Sequence, residues 1–318
     1  MQANRKQTIQ KKITRKQMTE AIARSGYPLE HRVVPVIEEA GYYVETNPVF
    51  LDPATAKTRE YDFSAIAGIK VYRDDWNFLW IHLIGECVNN PQPMVFFSSE
   101  RIIDFLFHED IKCSGIPLKF PSREEGDREI SFQEFFHLHK FHHYCQGPFS
   151  TQYCSFQQKR GKNEWMAWHD DEHHGVFDAL VAATEYEMGE FFSSWELPDS
   201  DEEEPLNLNV FYPVLILKGD LLECGQKRRK PVFAQRRHTQ FLKSIISGRQ
   251  HKTFHIGIIT ESFLKQYLRM LEDEHEKLVL RLKRKKKDVR KAIDRIVVQA
   301  RTANTKEKRG NFRDVLEF

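Results

Sequence analysis

Three carboxylates stand where acids can do chemistry: Glu30, Asp62 and Glu86. Glu30 follows the break Ser25-Gly26-Tyr27-Pro28 and opens a segment in which Val33, Val34, Val36, Ile37 and Ala40 recur at helical spacing, with Gly41 as its stop. Pro35 inside that run predicts a kink or a later helix start. Asp62 lies in a stretch over 60–72 whose residues Tyr61, Phe63, Ala65, Ala67, Ile69 and Val71 share one parity, the mark of a long strand. Glu86 is near the end of another strand, over 76–87, apolar on both parities and therefore expected at the centre of a sheet. Asp74-Asp75 reads as the reversal between the two. A two-residue turn there sets Arg73 against Trp76 and Asp62 against Cys87, the neighbour of Glu86; a three-residue loop sets Asp62 against Glu86 itself. Cross-strand Cβ atoms are about 5 Å apart. Two carboxylates at that distance can share one hard divalent cation through oxygen ligands, and such an ion polarises a phosphate and lowers the pKa of an attacking water.

The elements that must position these acids come from a chain of 318 residues, enough for one large domain or two ordinary ones. Apolar residues make up 40% and charged residues 30%, a globular composition. No segment approaches the uninterrupted apolar run of a membrane span, and the charged N-terminus has no apolar stretch behind it, so no secretory signal is expected. Five cysteines without a CxxC pair favour a reducing, cytoplasmic setting over a disulfide framework. Besides the acid-bearing segments, a short polar helix is expected over 16–25, a strand over 42–51, a turn over 52–57 and a short strand over 94–97. Residues 101–107 and 131–144 could be helices, 165–168 a strand and 173–192 a helix. A strand over 209–218 leads through a Gly219-Asp220 turn into a hairpin partner at 221–224. A late strand over 254–259 precedes one long helix, or two, over 261–300. The last dozen residues are polar and expected to fray.

Two other groups could carry function. Histidines crowd the middle: His137, His139, His142 and His143, then His169, His173 and His174, with Cys145 and Cys154 between. Zinc needs about four convergent nitrogen or sulfur ligands, and this spacing fits no finger pattern. The net charge of +2 hides local extremes: 199–204 (DSDEEE) is acidic, while 281–291 holds eight Lys or Arg in eleven residues. Within that basic run Lys283, Arg284, Lys285, Lys286 and Lys287 could give sequence-independent, salt-sensitive affinity for nucleic acid. The aromatics Trp76, Phe78 and Trp80 read as core in preference to a base-stacking platform.

Residues 25–97 resemble the PD-(D/E)XK nuclease superfamily, the restriction-endonuclease-like enzymes and junction resolvases. SGYPLE at 25–30 resembles the start of its first helix, AGYYVETNPVF at 40–50 its first strand, TREYDFSA at 58–65 its metal-aspartate strand, and LIGECVNNPQPMVFF at 83–97 the strand with the carboxylate-x-lysine motif. The resemblance implies that Asp62 and Glu86 ligate Mg²⁺ or Mn²⁺, that Glu30 supports the ion or its waters, and that Glu60 could assist. It implies a DNA substrate in a repair, restriction or phage-defence setting. The chain departs from the pattern at Val88, where a lysine is expected to orient the water and offset developing charge. Lys70 lies eight residues along the strand from Asp62, about 26 Å away, and Lys57 has the opposite parity unless a bulge turns it in.

The expected fold is α/β: a restriction-endonuclease-like mixed sheet flanked by helices, with a C-terminal elaboration ending in a long charged helix. The organisation expected is a basic extension (1–24), core motifs (25–100), a helical insertion with an acidic linker (101–206), further strands and the basic helix (207–300), and a polar tail (301–318). The strand at 209–218 is expected to join the same sheet, although the second half could instead form a small separate domain. The functional expectation is metal-dependent hydrolysis of DNA phosphodiesters by a protein that could form a homodimer. Its alternatives are a non-cleaving nucleic-acid-binding protein of the same fold, or a zinc-stabilised structural protein.

Overall fold

The computed structural model describes residues 12–52, 55–73, 76–100, 111–122, 128–159, 161–168, 171–194, 204–228, 230–247 and 250–306. The expectations for 101–107, for Asp74-Asp75, for most of the acidic linker and for the frayed C-terminus fall outside these residues. In chain order the elements are α1 (Arg15–Arg24), α2 (Tyr27–Glu39), β1 (Tyr43–Thr46), β2 (Val49–Leu51), β3 (Thr58–Glu60), β4 (Phe63–Lys70), β5 (Phe78–Asn89), β6 (Met94–Ser99), β7 (Lys112–Ile116), β8 (Lys119–Pro121), β9 (Glu129–Ser131), α3 (Phe132–Phe135), β10 (Phe149–Gln158), β11 (Trp165–Trp168), α4 (Asp171–Ser194), β12 (Asn207–Lys218), β13 (Leu221–Lys227), β14 (Lys230–Arg236), β15 (His238–Ser247), β16 (Gln250–Thr260), α5 (Leu264–Arg284) and α6 (Lys286–Lys306). The protein is α/β, and no described helix is long and apolar enough to cross a membrane. All five cysteines are free.

One mixed sheet of twelve strands runs β1-β4-β5-β12-β16-β15-β10-β6-β13-β14, with β11 on β10 and β7 on β12. Strands from both halves of the sequence share it: β5 and β12 pair in parallel along their whole lengths, from Phe78–Asn207 to Asn89–Lys218. The order has a geometric consequence. The β12–β13 link is Gly219-Asp220 alone, and consecutive Cα atoms are 3.8 Å apart, so it spans at most about 11 Å. A flat sheet would put strands five places apart about 24 Å away from each other. The sheet must therefore curl until β6 and β13 meet the ends of β5 and β12. The bonds there show it: Asn90 N–H donates to Lys218 O (3.1 Å) and Met94 N–H to Asp220 O (2.9 Å). Gly219, at φ 152°, passes so close to Asn90 that a Cβ would stand 2.4 Å from its carbonyl oxygen.

This curl overturns the expected hairpin at 221–224. β13 pairs in parallel with β6 and antiparallel with β14, not with β12. Other expectations break at single residues. The strand expected over 42–51 is split into β1 and β2 by Asn47, at φ 51°, and Pro48. The long strand over 60–72 divides into β3 and β4 at Tyr61-Asp62. Over 131–144 only the four residues of α3 are α-helical; His137, at φ 52°, turns the chain away. What packs there is aromatic, with Phe120 and Phe135 stacked at 4.1 Å and Phe132 and Phe136 beside them. The described part of 101–206 thus holds five strands as well as the long α4. Pro35 is accommodated inside α2, which runs on to Glu39, and the basic C-terminal segment is two helices that meet at Lys285.

The sheet separates two cores. On one face α2, α5 and α6 cover Phe63, Ala65, Leu79, Ile81 and Leu83 together with the aromatic cluster of the middle segment. The other core holds Ile84, Phe96, Phe211, Phe241 and Ile256 in the concave side of the curl, with Phe177, Leu180 and Val181 of α4 packed into it. Next to the acids the packing is tight. Phe63 lies over Gly85, its cross-strand partner, and a Cβ at Gly85 would come 1.9 Å from the ring. Gly85→Ala is expected to destabilise the protein by about 3 kcal/mol, the cost of overfilling a dense core. A urea titration reads this as a lower midpoint at unchanged slope; an unchanged midpoint would mean that Phe63 can leave at no cost.

Candidate metal centre

The two acids meet because of where β4 begins. The β4–β5 register sets Phe63 against Gly85 and Lys70 against Phe78, and one step further sets Asp62 against Glu86. Of the two registers open to the sequence, this is the one with direct opposition. At Asp62 the chain leaves the ladder, since Tyr61 N–H turns to Pro48 O (3.3 Å). The edge of β5 there would lose its partner. The Asp62 carboxylate replaces it, accepting the backbone N–H of Cys87 at 2.6 Å. Sequence reasoning did not find this anchor, because a backbone donor leaves no mark in the residue type.

Glu30, in the first turn of α2, completes the cluster from above. Its carboxylate lies against Gly26, where a Cβ would be 3.1 Å from Oε1 and 3.5 Å from the Cys87 carbonyl. Glu30, Asp62 and Glu86 are all half-buried, and Glu60 is exposed at the rim. Burial, then the charges of Asp62, Glu30 and Glu60, push Glu86 up to about 9. Burial also raises Asp62, against the lowering effect of the Cys87 N–H, and raises Glu30 together with the charges of Asp62 and Glu60. Glu86 and Asp62 lie close enough to share a proton. The largest charges acting on Glu86 are carboxylates. Four acids gathered in one place are an arrangement that a divalent cation stabilises.

The lysine position is apolar here: Val88, two residues beyond Glu86 on the same face, packs against the core under α4. Neither sequence candidate replaces it. Lys70 stands opposite Phe78 at the far end of the hairpin, and Lys57 is exposed before β3. The basic run lies elsewhere, at the α5–α6 junction. Lys283, Arg284, Lys286 and Lys287 are exposed, whereas Lys285 is half-buried, donates to Phe135 O at 2.9 Å and sits 3.7 Å above the Phe135 ring.

No family model matches this chain. No curated protein and no solved structure matches it either. The acid centre is therefore read from its own geometry.

Among the described residues, the one group of three side chains close enough to surround an ion is His142, His143 and Glu274, with ligand atoms within 4.8 Å of one another. It joins the middle segment to α5 and was not legible in the sequence, where its members lie 131 residues apart. Its hydrogen bonds assign a place to the protons. Tyr144 N–H donates to His142 Nδ1 (3.1 Å), so neutral His142 carries its proton on Nε2 and gives it to Tyr212 Oη (3.1 Å). The Tyr212 hydroxyl can then donate to His275 Nε2 (3.2 Å), while His275 Nδ1–H donates to Leu271 O (2.5 Å). Burial pushes His142 down to about 3 and His275 to about 4, in keeping with neutral rings. Glu274 accepts the His143 backbone N–H (2.6 Å) and its Nδ1–H (2.9 Å). With Nδ1 of His142 accepting a backbone proton, metal ligation through Nε2 would require an imidazolate. The arrangement fits a hydrogen-bonded polar network better than a zinc centre. Of the other histidines, His169 lies outside the described residues, as do the side chains of His173 and His174.

Proposed function

We propose that the chain is a metal-dependent nuclease of the PD-(D/E)XK, restriction-endonuclease-like kind, acting on DNA with Mg²⁺ or Mn²⁺. One observation carries the reading: Asp62, just before β4, meets Glu86 of β5, and Glu30 of α2 adjoins both. The bound ion would supply Lewis acidity at the phosphate and a more acidic water. Asp62 and Glu86 would hold it, with Asp62 oriented by the Cys87 N–H; Glu30 would accept hydrogen bonds from the ion's waters. A cytoplasmic protein in repair, restriction or phage defence is the setting that goes with this reading, at the level of fold analogy alone. Val88 favours a second reading, a protein of this fold that binds nucleic acid without cutting it efficiently.

Calorimetric titration with Mn²⁺ tests the centre apart from cleavage. One ion per chain is expected, with affinity reduced at least about tenfold in Asp62→Ala. A wild-type protein that takes up no Mn²⁺, or an Asp62→Ala protein that binds it equally well, would sink the metal-centre reading.

A further inference from the structure

The tip of the β4–β5 hairpin lies ten residues along β5 from Glu86, about 33 Å away, and has its own surface chemistry. Trp76, just before β5, and Phe78 and Trp80 on it form an aromatic row, with Phe78 and Trp80 stacked at 5.1 Å and Trp76 tilted against Phe78 at 6.4 Å. The sequence pattern had suggested core, but Trp76 at the head of the row is 81% exposed. Among the described residues its ring contact is with Phe78. The backbone makes room for this row. Trp80 lies flat over Gly68 of β4, where any Cβ would come 2.5 Å from the indole.

Cations surround the same tip. Lys70 is the direct cross-strand partner of Phe78, on the same face, and is exposed. Arg73 follows at the turn, also exposed; Asp74 and Asp75 lie outside the described residues. From behind, the α5–α6 junction buttresses the hairpin: Tyr72 Oη–H donates to Leu282 O (3.1 Å), and Lys286 Nζ sits 4.9 Å above the Tyr72 ring. That contact sets Lys286 beside the hairpin. Lys70, Arg73, Lys283 and Arg284 have no ion-pair partner among the described residues.

We propose that this end of the hairpin is a binding platform for single-stranded nucleic acid, on which the exposed ring of Trp76 stacks a base while Lys70, Arg73 and Lys286 hold the flanking phosphates. An exposed indole needs a partner whose flat face is also free. Bases of a single strand offer theirs, whereas those of a duplex are already stacked. Unpaired cations beside the ring match the charge that such a strand carries with every base. The proposal does not rest on the metal centre.

The test is fluorescence anisotropy of a labelled oligothymidine with the full chain in EDTA, together with quenching of tryptophan emission. Trp76→Ala should weaken binding about tenfold, and because Trp76 is exposed, its thermal midpoint should match wild type. Lys70→Ala should lower the salt dependence of log K by about 0.7, one phosphate contact on a single strand. Asp62→Ala, which removes the proposed metal ligand, should bind as wild type does, so loss of cleavage and loss of this platform are separable. Equal binding by Trp76→Ala and wild type overturns the proposal. So does preference for a duplex of the same length, or binding to anionic phospholipid vesicles without binding to the oligonucleotide.

Discussion

Val88→Lys is expected to cut DNA in Mg²⁺ about a hundredfold faster than the natural sequence, and adding Asp62→Ala to it should return cleavage to background. Residues 86 and 88 of a strand point to the same face about 6.6 Å apart, so a lysine side chain at 88 reaches the space beside the Glu86 carboxylate. There it supplies a positive charge beside Glu86, where the largest charges acting are carboxylates. A positioned cation aimed at developing negative charge contributes on the order of a hundredfold or more in rate. Val88 is half-buried and packs at the rim of the core under α4, so a lysine there can keep its stem on the apolar surface and send its amine toward the acids. Plasmid nicking assays on wild type, Val88→Lys and the double variant read the result directly. Wild-type cleavage equal to that of Val88→Lys would show that some other group already does the lysine's work. No cleavage by any of them would favour the reading in which the fold binds nucleic acid without hydrolysing it.

The second large effect is on stability, and it changes sign with metal. Glu86, raised to about 9 by burial and its acidic neighbours, is more easily ionised in the unfolded chain than in the folded protein. Above the unfolded value of about 4.3, deprotonation favours the unfolded state, and the penalty grows until pH passes the folded value. Asp62 and Glu30 are shifted in the same direction and add to it. The metal-free protein should therefore lose thermal stability between about pH 5 and pH 9, on the order of 5 °C in midpoint, where proteins without such a cluster vary less. Glu86→Gln should flatten that slope. Saturating Mg²⁺ should reverse it, because an ion that binds only the folded state stabilises by mass action and binds best when the carboxylates are ionised. Differential scanning fluorimetry across this range, with EDTA or with Mg²⁺, measures both. A flat profile in EDTA would mean that the acids are better solvated than their burial implies.

The acid centre was legible because its parts are local. Hydrophobic spacing marked α2, which carries Glu30, and the apolar run over 76–87 marked β5, which carries Glu86. The reversal between β4 and β5 narrowed the register to two choices, both placing Asp62 beside Glu86. What decided between them was the ladder itself, and what holds Asp62 in place is the Cys87 N–H, which no pattern of side chains reveals. The same limit explains the errors. Asn47-Pro48 and Tyr61-Asp62 end strands through backbone conformation inside runs that keep an apolar pattern. Trp76, read as core because it opens an apolar run, proved to be exposed, because such a run marks a strand but not where along it the covering layer ends.

By itself, the sequence determined the α/β character of this protein, the helices α2 and α5–α6, the strands β5 and β12, and the meeting of Asp62 with Glu86. Each of these follows from periodicities and turns that act over a few residues. Only the tertiary structure decided that β5 and β12 lie side by side in one curled sheet, that β13 leaves β12 to pair with β6, and that His143 lies against Glu274 from a distant helix. The physical reason is that such pairings are chosen by burial and hydrogen-bond satisfaction over the whole chain. Many distant partners would satisfy the local pattern of any one strand equally well, and only the packed sheet selects among them.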